Sequence, residues 1–506
     1  MASNDVTAIL EDDAVQAAGV STIRITTKDE LAAAEAAVES GTVDGPVQSR
    51  RWAQYLAATT AALVGMAGGT VLAWTSPALP LLAQADSPIH LTENEASWVG
   101  SVMPLGAVLG APPAGYLAQR LGRKTAVLSL SVHFLLSWAL VLTTHSALGL
   151  YAARLLAGFA LGGVCVACPI YINEVAEDEV RGTCSAMLQV MMNAGMLFSY
   201  AVGAAESYVL LAAACAAVPA LFLVLFAWMP ETPAALLNGA GGEEAATRSL
   251  CWLRRWTPGV HSAALEAELV KLRRAQAVAK AETTSGESLF ARMRRPSAIR
   301  ALTVALGLIT GQQLSGVCVV VFHAETIFRA VGGSIPPSAA TVSVGLVLFA
   351  TSYITTLAVD RVDRRVLLIV SATFMGLSLA TLAAFFQLQA HPSLIDMQPF
   401  AWLPVLAIMC AVAAFCLGLG PLPWTVMAEL LPMDIVGPAG AVVSSACWTL
   451  SFTTTKSYQY LVDYLGMDST FWLFSGCCGV TVVFVLFLVP ETRGKSLQAI
   501  QIELTS

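Results

Sequence analysis

Charge is what this chain has least of. Only 12% of its 506 residues are Asp, Glu, Lys or Arg, while 56% are hydrophobic and the mean hydropathy is +0.70. Soluble domains carry about 25% charged residues, and a soluble chain this apolar has too little polar surface to cover itself. A basic surplus is missing too. The net charge is −7, and Asp12, Asp13, Asp29, Glu30, Glu35, Glu39 and Asp44 crowd the N-terminal tail, which excludes a nucleic-acid footprint there. No Asn heads an Asn-x-Ser/Thr sequon, so N-glycosylation is not expected. The acidic start lacks a basic-then-apolar leader, so no cleaved signal peptide is expected. The eleven cysteines supply no framework, since Cys165, Cys168, Cys215, Cys410, Cys416, Cys477 and Cys478 lie in apolar runs, where Cys acts as a small hydrophobe. Cys165 and Cys168 have CxxC spacing but no second pair or His cluster, which argues against zinc or redox chemistry. No nucleophile–base pair or metal constellation stands out. The expectation is therefore a non-enzyme without metal or cofactor.

Long apolar runs are what the chain has instead. A helix needs roughly 20 apolar residues to cross the bilayer core, and twelve stretches qualify: 55–74, 98–117, 126–142, 150–170, 184–203, 210–229, 302–322, 342–359, 367–388, 403–427, 439–461 and 471–489. They are continuous rather than alternating, which predicts helices and not barrel strands. The expected fold is an all-α membrane protein of twelve transmembrane helices in two six-helix halves. A polar linker at 231–300 separates the halves 53–230 and 301–490, with tails at 1–52 and 491–506. Short amphipathic helices are expected in the linker around 250–256 and 265–279, and the polar N-terminal tail is expected to be disordered. Arg50 and Arg51, then Arg120, Arg123 and Lys124, eleven Lys/Arg of the linker, then Arg361, Arg364 and Arg365, and finally Arg493 and Lys495 all fall on one side of the predicted spans. The opposite loops hold little beyond Arg329. By the positive-inside rule both tails and the linker are cytosolic, in a membrane expected to be the plasma membrane.

Three landmarks recur. Gln119 to Lys124 (QRLGRK) follows the second span and Asp360 to Arg365 (DRVDRR) the eighth; Glu174 to Gly182 (EVAEDEVRG) follows the fourth and Glu429 to Gly437 (ELLPMDIVG) the tenth; Pro-Glu-Thr ends the sixth at Pro230 and the twelfth at Pro490. Order and spacing match, so the halves are structural copies, a plan in which substrate sits between them near mid-membrane. With Arg154-x-x-x-Gly158, Gln312-Gln313-Leu314-Ser315-Gly316, Gly418-x-Gly420-Pro421-x-Pro423-Trp424 and Pro490-Glu491-Thr492-Arg493-Gly494-Lys495-Ser496-Leu497 in that order, the chain after residue 50 resembles the sugar porter family of the major facilitator superfamily. Within it, Trp74-Thr75-Ser76-Pro77-Ala78-Leu79-Pro80 most resembles the insect facilitated trehalose transporters and related hexose facilitators.

The resemblance implies an alternating-access sugar transporter in a lipid bilayer, with a sugar as its small-molecule partner. It implies a substrate site at Gln189, Gln312, Gln313 and Trp424, with Cys318, Cys447 and Trp448 at neighbouring site positions. Amides suit sugar hydroxyls, because paired polar groups in apolar surroundings favour the ligand and unpaired ones disfavour its analogues; the bland alternative is glutamines as interhelical glue. It also implies salt-bridge clusters that gate the cytosolic side, from Arg120, Arg123, Arg154, Glu174 and Arg181 in the first half and Asp360, Arg361, Arg364, Arg365 and Glu429 in the second. The alternative is topology alone, basic residues holding loops inside. Departures from the family pattern are concentrated in the second half: Asp363 for Gly, Val436 for Arg, Cys318 and Cys447 for Asn, Leu348 for an amide, Cys416 and Ser451, and His323 and Glu325 where aromatics and small polar residues are usual. In the first half Gln119 replaces an acid or Asn. Gly418, Gly420, Pro421 and Pro423 interrupt the tenth span, and proline inside a helix removes a hydrogen bond and kinks it.

The family's symporters set an Asp of the first span against the Arg of the fourth. Here the matching position is Gly69, and 54–84 holds no Asp or Glu, so facilitated uniport is expected. Arg154, without that partner, is expected to bond backbone carbonyls or to reach Glu174 through water. His323 and Glu325 keep a proton-coupled symporter as the alternative. A non-transporting sugar sensor is the alternative of another class.

Overall fold

The computed structural model describes residues 51–493 except 85–86, 88, 239–241, 257–261, 285–288, 333–334, 359–361, 392–396 and 432–434. Every regular element among the described residues is a helix. The first span is Trp52–Ala73 continued by Thr75–Leu82, and the second is Glu93–Ser101 continued by Met103–Arg120. Arg123–Thr143, Ala147–Val175, Asp178–Gly203 and Tyr208–Phe226 complete the first half. Pro296–Leu314 with Val317–Val331, Pro337–Ala358, Arg364–Gln389 and Leu403–Leu417 with Leu422–Leu430 form the seventh to tenth spans.

Among the described residues, ten helices are long and apolar enough to cross a membrane by length and composition. The other two follow from geometry. Val436–Leu488 runs 53 residues, about 80 Å at 1.5 Å per residue, far more than one crossing of a core about 30 Å thick. It turns at Gly466, whose φ of 87° is left-handed, and so supplies the eleventh and twelfth spans. The second span falls short on apolarity because Met103–Arg120 is built from Gly, Ala and Pro. That composition has a packing reason. A Cβ on Gly106 or Gly110 would run into the backbone of Leu155 or Phe159, and one on Gly158 or Gly162 into that of Met103 or Ala107. Two small-xxx-small faces thus interlock, the arrangement by which helices associate closely where lipid supplies no hydrophobic drive between them. Gly65, Gly69 and Gly195 bring the first and fifth spans together in the same way.

The ends are locally specified. Thr92 caps the second span with a capping box, its Oγ1 accepting from Glu95 N at 3.3 Å while Glu95 Oε2 accepts from Thr92 N at 2.8 Å. Ser146 and Ser207 cap the fourth and sixth. The linker forms Gly242–Arg254, Ser262–Thr284 and Leu289–Met293. Ala246, Leu250 and Leu269 make a small core there, and buried Arg254 clasps it to the first half. Arg254 Nη1 donates to Val175 O at 2.9 Å, Nη2 to Glu268 Oε1 at 2.6 Å, and Nε lies 3.0 Å from Glu177 Oε1.

Candidate functional site

The break in the seventh span sets the central site. Gly316 adopts φ 79°, so Pro296–Leu314 ends and Val317–Val331 begins on a new axis. Gln312 and Gln313 close the first piece, buried against the tenth and eleventh spans. Gln312 Nε2 donates to Leu419 O at 2.7 Å and Gly420 O at 2.8 Å. Those carbonyls lie in the stretch between Leu417 and Leu422 where the tenth span has no helix, so the amide replaces hydrogen bonds that the Gly and Pro residues forfeit. Gln313 Nε2 reaches Gln312 Oε1 and Cys447 Sγ, each at 3.1 Å; Cys318 Sγ donates to Gln313 Oε1 at 3.0 Å; Ser451 Oγ donates to Cys318 Sγ at 3.2 Å. Thus Gln312, Gln313, Cys318, Cys447 and Ser451 form one neutral network. Trp424 packs against the small apolar cluster of Ala305, Ile309, Val443 and Cys447, and Trp448 packs, half-buried, into the main core.

Gln189 stands apart. Its Nε2 donates to Asn193 Oδ1 at 3.3 Å, and Asn193 Nδ2 reaches Leu348 O at 3.4 Å across the two halves. Asn193, one turn beyond Gln189 and buried, belongs with this site by position; an amide four residues after another on one helix face was its signal. The neutral amides, hydroxyl and thiols of the seventh and eleventh spans, with the Gln189–Asn193 pair of the fifth, offer donors and acceptors without charge, which suits a polyol better than an ion.

Arg154 is buried in the first half. Its Nη1 donates to Val71 O at 2.8 Å and Nη2 to Thr75 Oγ1 at 3.2 Å, while the guanidinium lies over Trp74, 5.3 Å from the ring centroid. Its described partners are a carbonyl, a hydroxyl and a ring, all neutral. Gly69 leaves no room for a carboxylate, because a Cβ there would fall on Met192 O.

On the linker side the repeat recurs as geometry. Arg123 Nη2 and Nε meet Glu174 Oε1 at 2.8 and 3.0 Å, Thr232 Oγ1 donates to Glu174 Oε2 at 2.6 Å, and Glu231 Oε1 accepts from Arg123 N and Lys124 N at 3.1 and 3.0 Å. In the second half Arg364 Nη2 lies 3.7 Å from Glu429 Oε1, Thr492 Oγ1 donates to Glu429 Oε2 at 2.5 Å, and Glu491 accepts from Arg364 N and Arg365 N at 3.2 and 3.0 Å. Glu231 and Glu491 therefore cap the third and ninth spans, where a carboxylate complements the helix dipole. Burial by itself raises the Glu491 carboxyl, but hydrogen bonds from the backbone N–H groups of Arg493, Arg365, Arg364 and Thr492 outweigh it and hold the group below the usual range. Arg120 and Arg181 do not join the first cluster: Arg120 lies over Tyr116, 5.6 Å from its centroid, and Arg181 pairs with Asp178 at 2.5 Å. Arg365 donates from its side chain to Leu486 O. Asp360 and Arg361 lie outside the described residues. Asp363, standing where the first half has Gly122 at φ 99°, takes an ordinary φ of −62° and pairs with Arg493 at 3.1 Å.

On the far side the halves touch. Lys456 Nζ reaches Asn94 Oδ1 at 3.3 Å and Ser97 Oγ at 3.1 Å and lies over Trp98, 4.5 Å from its centroid. Glu325 N donates to Ser76 Oγ at 3.0 Å, and Tyr200 OH to Val321 O at 2.7 Å. Lys456 was not distinguished by its apolar surroundings; its one signal is a charge inside a predicted span.

A family model described as sugar (and other) transporter matches residues 54–504. The chain belongs to that family. The facilitated trehalose transporter Tret1 of Drosophila virilis is 36% identical over 451 residues, 89% of this chain and 48% of that protein, so the chain spans about half the length of that relative. The Tret1-2 homolog of Drosophila simulans is 36% identical over 461 residues, covering 90% of this chain and 92% of that one. Among solved structures, the xylose transporter XylE from E. coli in its inward open conformation gives a TM-score of 0.71 at 20% identity, covering 88% of this chain and 98% of that one. Its partially occluded inward open form gives 0.70 at 19%, covering 88% and 99%. At that identity the likeness is one of fold, and the fold is the twelve-helix major facilitator arrangement. Membership of the sugar (and other) transporter family makes the chain an integral multi-pass membrane protein of a transporter family, not of an enzyme family.

Proposed function

We propose that the protein moves a hexose or a disaccharide such as trehalose across a membrane by alternating access, as a facilitator driven by the sugar gradient. The observation that carries the uniport reading is the pairing of Arg154 with Val71 O and Thr75 Oγ1, beside a Gly69 that has no space for an acid. Without a titratable partner at that arginine, sugar movement has no protonation step to couple to there. The neutral network around Gln312 and Gln313 supports a polyol as cargo, and the trehalose-transporting relatives support the choice of sugar. The basic residues of the linker and of the loops beside it support cytosolic termini, and we place the protein in the plasma membrane on the same resemblance. In proteoliposomes loaded with labelled trehalose or glucose, counterflow is expected to proceed at the same rate with and without a proton gradient. Accumulation against a sugar gradient that a protonophore abolishes would replace uniport by symport. Buried Glu325, paired with Arg329 at 2.8 Å on the far side, is the group that symport would then implicate.

The linker-side clusters are assigned to gating, because they tie loops of one half to the ends of its own spans and so let each half move as a body. Glu174→Ala removes the oxygen that accepts from both Nε and Nη2 of Arg123, and the acceptor of Thr232. Hydrogen bonds to charged groups contribute about 1.5–3 kcal/mol each, discounted here because the pair is partly exposed. Glu174→Ala and Arg123→Ala are each expected to slow exchange by about ten-fold while surface expression stays near wild type. Wild-type exchange rates in both would leave these charges with topology alone.

A further inference from the structure

The eleventh span presents one polar face to the seventh. Cys447 meets Gln313, Ser451 meets Cys318, and the Tyr458 ring lies tilted against His323 with ring centroids 5.1 Å apart. Positions 447, 451, 454 and 458 follow one another at helical spacing, so Thr454 lies on this face as well. The two ends of the stripe differ. Near Cys447 and Ser451 the polar atoms are hydrogen-bonded to the glutamine network. Further toward the far side, Thr454 Oγ1 and Tyr458 OH have no hydrogen-bond partner, although the residues are only 5% and 3% exposed. Buried hydroxyls without partners are rare and costly. Two of them stand a helical turn apart, Thr454 roughly 5 Å and Tyr458 roughly 10 Å along the helix beyond Ser451 at 1.5 Å per residue, with an imidazole against the Tyr458 ring.

His323 itself is held out of helical geometry, with φ −124° and ψ 17° inside Val317–Val331. Its ring lies between Tyr458 and the second span, where Cε1 would be 3.4 Å from a Cβ on Gly100. A threonine hydroxyl, a phenol and an imidazole each donate and accept. The neighbouring charge, Glu325, is engaged by Arg329 at 2.8 Å. What such a group of neutral, two-way hydrogen-bonding side chains matches is a ring of hydroxyls.

We propose that Thr454, Tyr458 and His323 form a second sugar subsite, which takes the ring of a disaccharide that lies farther from Gln312 and Gln313. The inference rests on the sugar-transport reading and names the part of the protein that separates disaccharide from hexose. One ring occupies the amide network in either case. The second ring meets the Thr454 and Tyr458 hydroxyls when the far side opens and His323 leaves Tyr458. A hexose reaches only the first.

The test uses the full chain, purified in lipid nanodiscs, with trehalose and glucose affinities measured side by side. Tyr458→Phe keeps the ring against His323 and removes only the hydroxyl; Thr454→Val keeps the shape and removes the other. Each variant is expected to bind trehalose about three- to ten-fold more weakly, the equivalent of one net hydrogen bond, with glucose affinity changed by less than about two-fold and thermal unfolding near wild type. Equal weakening of both sugars, or unchanged trehalose affinity in both variants, overturns the second subsite and leaves the transport reading standing. Wild-type protein that binds neither sugar overturns the transport reading, and the subsite with it.

Discussion

Gln312→Ala is expected to weaken sugar binding by about ten-fold or more, the equivalent of about 1–3 kcal/mol. The amide is already committed to Leu419 O and Gly420 O, at 2.7 and 2.8 Å, so its loss acts twice. On the proposed reading it removes a group that would engage sugar hydroxyls, and it strips two carbonyls of the broken tenth span of their donor. Trp424→Ala is expected to cost more, because it removes a stacking face and part of the wall beside Cys447 and Val443. Cys318→Asn places an amide where a thiol now donates to Gln313 Oε1. It is expected to change which sugars compete rather than to scale all of them, since a buried donor discriminates by what it leaves unpaired. Equilibrium binding on purified protein, with unfolding followed in parallel, checks all three. Sugar affinity unchanged in a folded Gln312→Ala would make the glutamines interhelical glue and move the site elsewhere.

A larger effect on stability is expected from a single methyl group. Gly158→Ala sets a Cβ against Met103 O, and Gly110→Ala sets one against Phe159 O; both contacts involve backbone, which cannot step aside as a flexible side chain does. Overpacking costs about 1–3 kcal/mol and more where the backbone must move, so both variants are expected to yield little monodisperse protein after extraction. Gly479→Ala is the control. Its Cβ meets nothing within 4 Å, and alanine is the better helix former by about 1 kcal/mol, so wild-type yield or better is expected. Size-exclusion profiles of the three decide it. Equal yields would mean that the second and fourth spans are not packed face to face through their glycines.

Composition and order settle a great deal about this chain. Apolar runs of membrane length, few charges and three landmarks that each occur twice determine an all-α membrane protein in two six-helix copies, because a bilayer admits few ways to satisfy a backbone and duplicated strings imply duplicated positions. Even so, the second span reaches from Glu93 to Arg120, beyond the 98–117 that hydropathy marks, and the eleventh gives way to the twelfth at Gly466 without an intervening loop. A turn that abrupt depends on one left-handed glycine, which hydropathy does not register. The family strings placed Gln312, Gln313, Cys318 and Cys447 at site positions, but which atom meets which was open in the sequence. The break at Gly316 and the unwound stretch at Leu419 and Gly420 lie over a hundred residues apart in the chain, and only packing brings an amide to those carbonyls. The same holds for the charges. Arg123 and Glu174 meet while Arg120 and Arg181, equally basic and as near in sequence, turn to Tyr116 and Asp178. Sequence determines which groups a chain carries and how far apart they lie along it. Hydrogen bonds act over about 3 Å, so their pairing is decided by the tertiary fold.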